Sequence, residues 1–138
     1  MNSYLPNPWE AIVAECSRRE AGWARAIDAA GCGEERWRLS EQCSADIAKW
    51  HAIAVRIARG NNIPGLIMED LIGEGRPPQP TTGHQWLDLL AMVRRAVDRE
   101  AANGDTDAYR NLCAIWRWFH LHVHVWQLPV CVKVERAA

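Results

Sequence analysis

Lysine is nearly missing from this chain, with two residues against fourteen arginines. The net charge is −1, and no segment is a basic arm. Residues 1–60 carry eight basic and eight acidic groups, residues 61–83 one and three, and residues 84–138 seven and six. Strong nonspecific binding to nucleic acid therefore has no electrostatic support. The arginine forks are suited instead to pairing with carboxylates and stacking on tryptophan. No run of about 18 apolar residues exists, so no membrane span is readable. Residues 1–8 contain neither a basic region nor an apolar stretch, which makes a cytosolic setting the expectation.

The five cysteines contain no Cys-x-x-Cys pair, which removes the zinc-knuckle and thioredoxin-type readings. Cys16, Cys43 and Cys113 fall on apolar stripes and read as small buried residues in a reducing compartment. No serine sits in a Gly-x-Ser-x-Gly elbow, and no glycine run precedes a lysine, so neither hydrolase nor P-loop chemistry is supported. Phenylalanine occurs once, at Phe119, whereas tryptophan occurs eight times.

What is present is helical periodicity. The 138 residues suit a single helical domain over 1–138, large enough to bury a core without disulfide or metal staples. Pro8 fits the first turn of helix one, with Asn7 as its cap. Trp9, Val13, Cys16, Glu20, Trp23, Ile27 and Ala30 form its stripe, with Ile12 and Ala26 widening it. Glu15 and Arg19 are spaced for an i,i+4 pair on another face. Gly31-Cys32-Gly33 turns the chain into helix two, about Glu34 to Arg59, whose stripe is Cys43, Ile47, Trp50, Ala54 and Ile57, with Trp37 and Ile53 at its margin. Residues 60–81 read as a loop-rich crossover holding one or two helical turns. Thr82-Gly-His-Gln85 is a capping box opening helix three, which runs to about Ala102. Asn103-Gly104 stops it, and Asp105 or Thr106 caps helix four.

Helix four carries the densest aromatic content. Tyr109, Leu112, Cys113, Trp116, Phe119, His120 and Val123 form its expected buried side. Near Leu121 the period changes from 3.6 to 2, and Val130-Cys-Val-Lys-Val134 alternates cleanly after Pro129. The expected fold is thus all-α: a bundle of four main helices, a loop-rich crossover between helices two and three, and a short extended C-terminal tail or edge strand. Such a strand needs a partner, which a second copy could supply in a homodimer.

Three groups of residues carry candidate chemistry. His120 and His124 lie one turn apart on a helix and could share a metal, but no third or fourth ligand accompanies them; aromatic packing beside tryptophan is the simpler reading, and no metal or other cofactor is expected. Glu69, Asp70 and Glu74, with His84, could do acid–base work, but solvated loop acids explain them as well. Arg117, Trp118 and Trp126 are the partner-binding candidates. Adjacent residues on a helix point about 100° apart, so Trp116, Arg117 and Trp118 cannot all face one core. Exposed tryptophan beside arginine is the composition of an interface hot spot.

The expected function is binding without catalysis, with another protein as partner. Small accessory, adaptor or inhibitor proteins of phage and mobile elements, which block a host machine, are of this kind. A nucleic-acid-associated regulator is the alternative, with Arg94, Arg95 and Arg99 contacting phosphates. A metal-dependent enzyme centred on the C-terminal histidines is a third reading.

Overall fold

The computed structural model describes residues 5–73 and 79–137, with side chains described through residue 122. It is all-helical, with no strand among the described residues. Five helices follow in order: α1 (Pro8–Ala30), α2 (Glu34–Gly60), α3 (Gly65–Ile72), α4 (Gly83–Ala101) and α5 (Asp107–Ala137). The chain divides into two compact units. One joins the N-terminal segment up to Ala11 with the chain from Gln79 onward, and the other is Ile12–Pro78.

Unit Ile12–Pro78 contains most of α1, with α2 and α3. The turn between α1 and α2 uses Gly31 and Gly33 at φ of 75° and 95°, a region costly for residues with a Cβ. Arg36 donates to the Gly31 carbonyl at 2.8 Å and ties the turn to the second helix. The far half of α2 is buried on nearly every side: Trp50, Ala52, Ile53, Ala54, Val55, Ile57 and Ala58. Its near half is not. Trp37 is 69% exposed, while Cys43 and Ile47 are half-buried. The expected stripe is therefore present but shifted toward the C-terminal end, and Ile53 belongs at its centre. Alternating alanines at 52, 54 and 58 let neighbouring groups approach the helix from several sides.

Glu15 also departs from expectation. It pairs with Arg19 as its spacing implies, yet it is 1% exposed. Arg18 donates two hydrogen bonds to its carboxylate, both at 2.9 Å, and Arg19 Nε donates a third at 2.8 Å. Arg19 also reaches Asp46 on α2 at 3.3 Å, and Trp23 Nε1 donates to the same Asp46 oxygen at 2.9 Å. The Arg19 guanidinium lies 4.1 Å from the centre of the Trp50 ring. A carboxylate can be buried because charged donors replace the water it loses. On this helix Ile12 and Cys16 are fully buried, Trp9, Val13, Trp23 and Ile27 half-buried, and Glu20 exposed.

The other unit is built on α4 and α5. Thr82 Oγ1 accepts from the Gln85 amide at 3.1 Å and Gln85 returns the bond, which makes the expected capping box. At the start of α5 the capping residue is Thr106, whose Oγ1 accepts from Tyr109 N at 3.0 Å, while Asp105 pairs with Arg110. Trp86, Leu89, Val93, Ala96 and Val97 are the buried face of α4, and Trp86 meets Phe119 of α5 at 5.8 Å between ring centres. The buried residues of α5 are Leu112, Ala114, Ile115 and Phe119. Tyr109, Cys113, Trp116 and His120, expected inside, are half-buried on its flank. Leu112 and Phe119 of the expected stripe do face inward, but beside them the helix buries Ala114 and Ile115 instead of Trp116 and His120. Among the tryptophans of these helices, Trp50 and Trp86 are buried, and Trp9, Trp23 and Trp116 are half-buried.

The extended tail or edge strand is not found, since the backbone of α5 stays helical to Ala137. A helix closes its hydrogen bonds within itself, whereas a lone strand has no ladder partner for its N–H and C=O groups. Period-2 alternation alone could not supply that partner, and the strand-mediated homodimer loses its basis. Val123, His124, Trp126 and Cys131 have side chains outside those described.

Two outcomes follow for unit Ile12–Pro78. In chemical denaturation, Ile53→Ala should cost roughly 2–5 kcal/mol, and Ile47→Ala clearly less. Glu15→Ala should cost on the order of 1–2 kcal/mol, because Arg19 loses its buried acceptor but keeps Asp46, while Arg18 is half exposed and returns to water.

Candidate functional site

A groove of about 830 Å³ lies between the start of the chain and α5. Leu5, Pro6, Asn7, Pro8 and Glu10 form one wall, and Ala114, Arg117, Trp118 and Leu121 form the other. All of these belong to the same compact unit. The first wall is stiff for local reasons. Pro6 and Pro8 fix their φ angles. Asn7 Oδ1 accepts from the amides of Trp9 at 2.8 Å and Glu10 at 3.4 Å, as a helix cap does. The second wall follows from helical spacing: positions 114, 117, 118 and 121 share one face of α5.

Trp118 is held in place along its own helix. Its ring stacks on His122 at 4.3 Å between centres, with 23° between planes. His122 donates from Nδ1 to the Trp118 carbonyl at 2.7 Å, which places the neutral ring's proton on Nδ1. Arg117 is exposed and enters no ion pair among the described residues. Leu121 is 59% exposed. The result is a stacked aromatic side chain, a guanidinium with no ion pair among the described residues, and apolar surface open to solvent.

Two of the three partner-binding candidates, Arg117 and Trp118, thus share a groove. Trp126 lies outside the described side chains. Sequence reasoning missed the N-terminal wall; its available signal was Leu5-Pro6-Asn7-Pro8, two prolines flanking a helix cap beside an apolar residue.

The other candidates are placed differently. His120 stacks on Trp116 at 4.7 Å and 9°, in the packing role weighed for it. Arg94 pairs with Asp98 at 3.2 Å and lies 5.0 Å from the Trp116 ring centre, so it is already engaged. Arg95 and Arg99 are exposed one turn apart on α4, and Arg94 does not join them. Glu69 and Asp70 are exposed on α3, and His84 is exposed on α4 near Asp88, at 3.9 Å. Among the described residues no group of three histidine, cysteine or acidic side chains could hold a metal ion. No helix among them is long and apolar enough to cross a membrane. Burial pushes the Cys16 thiol up to about 12, with Glu20 and Glu15 adding to the effect, so it is protonated and inert at neutral pH.

Compared with known protein families, with curated proteins and with solved structures, the chain matches none.

One titratable group outside the groove gives a pH signature. The His51 side chain is 14% exposed, and its Nε2 lies 3.6 Å from Glu20 Oε1 with no hydrogen-bond partner among the described residues. Burial pulls its pKa below the ordinary 6.5, against a smaller opposite pull from Glu20. The unfolded chain therefore takes up this proton at higher pH than the folded one. Stability held above pH 6.5 is lost as pH falls through the window beneath it. In denaturation at a series of pH values, His51→Leu should show a shallower acid-side loss than wild type.

Proposed function

We propose that this protein is a non-catalytic protein-binding module, cytosolic, whose partner docks on the face around Arg117 and Trp118. The reading fits a small accessory, adaptor or inhibitor protein that acts by covering a partner's surface. The observation that supports it best is the groove, where a stacked tryptophan, an arginine with no ion pair among the described residues and an exposed leucine face a proline-stiffened wall. Tryptophan and arginine are the residue types most enriched where binding energy concentrates. Rigid placement reduces the ordering cost that association must overcome.

Affinity capture from the native cell with the full chain as bait, followed by quantitative mass spectrometry, tests this. Trp118→Ala and Arg117→Ala should keep wild-type helix content and melting temperature, while each weakens capture of the same partner at least tenfold, on the order of 1.4 kcal/mol. A partner retained in full by both folded variants would move the docking face elsewhere.

A further inference from the structure

We infer that the groove takes a short linear segment of the partner, one that pairs a bulky apolar side chain with a carboxylate. This rests on the protein-binding reading above and specifies its ligand. Size sets the first part. An open groove of about 830 Å³ between two walls has room for a few residues of peptide laid along it.

Charge sets the second part. The groove has two ionic side chains, Arg117 on α5 and Glu10 on the opposite wall. Glu10 sits in the first turn of α1, where the positive end of the helix dipole offsets part of its charge. The backbone donors there are already served, since Asn7 Oδ1 accepts from Trp9 N and Glu10 N. Arg117 has no such compensation and no ion-pair partner among the described residues. Its fork offers two parallel donors to a carboxylate. Next to it on the chain, Trp118 offers apolar area on the same wall, Leu121 extends that surface, and Leu5 adds apolar area on the opposite wall. A segment with aspartate or glutamate beside leucine or phenylalanine satisfies both features at once.

The test uses the full chain, nitrogen-15 labelled, and three end-blocked hexapeptides. Each has a central Leu-Phe pair, flanked by two aspartates, two asparagines or two lysines. The readout is the Trp118 indole N–H resonance, assigned by its loss in Trp118→Phe. The aspartate peptide should shift this resonance and bind at least tenfold tighter than the lysine peptide. Arg117→Glu should invert that order. Equal binding of all three peptides at Trp118, or preference for lysine, would overturn the acidic assignment while leaving the groove a peptide site. No shift with any peptide at millimolar concentration would overturn the linear-segment inference. The broader reading would then still be judged by whether Trp118→Ala loses the captured partner.

Discussion

A buried carboxylate organises unit Ile12–Pro78. Glu15 lies on the inward face of α1 with no water to solvate it, and it survives there because Arg18 and Arg19 surround it with charged donors. Arg19 cannot serve this role from an arbitrary position. It is held by Asp46 on one side and by the Trp50 ring beneath it, and both lie on α2. The register between α1 and α2 is thus specified by directional contacts as well as by apolar burial. Apolar side chains tolerate sliding, whereas a fork that must meet a carboxylate and a ring together does not. At this position arginine has a physical advantage over lysine: its planar fork lies over the Trp50 ring while donating to both Glu15 and Asp46.

The helix boundaries were legible wherever one side chain determines them. Asn7, Thr82 and Thr106 cap the helices they precede, and Gly31 and Gly33 make the turn that their spacing implies. Each is a local event within three or four residues, so local reading suffices. The misreadings arose where the outcome depends on distant groups. Glu15 looked like a surface acid because its burial depends on Asp46 and Trp50, which lie some thirty residues away in sequence. In α5 the choice between Ile115 and Trp116 as the inward residue depends on what α4 presents, which no window of α5 contains. The alternation after Leu121 resembled a strand because periodicity records side-chain pattern and not the presence of a neighbour to complete a ladder.

The groove was half legible for the same reason. That Trp116, Arg117 and Trp118 could not all face one core followed from helix geometry alone. That Leu5-Pro6-Asn7-Pro8 would stand opposite them did not, because nothing in a window of either segment refers to the other. The histidines show the complementary case. His120 and His124 are spaced as ligands, yet His120 lies four residues after Trp116, and the i,i+4 relation makes those two stacking partners.

The groove's two walls are separated by more than a hundred residues of chain, which has a kinetic meaning. The α4–α5 pair closes through a short turn and can form early, at little entropic cost. The wall of Leu5 to Glu10 joins it only after a long loop has closed. It contributes few buried side chains of its own, with Ala11 the first that is fully covered. A segment fixed last and anchored lightly is among the first to release in sub-global opening, while the helices behind it stay intact. Slow amide exchange across α5 with fast exchange at Trp9 and Glu10 would be the signature of that hierarchy, and a bound segment would slow exchange at the N-terminal wall first.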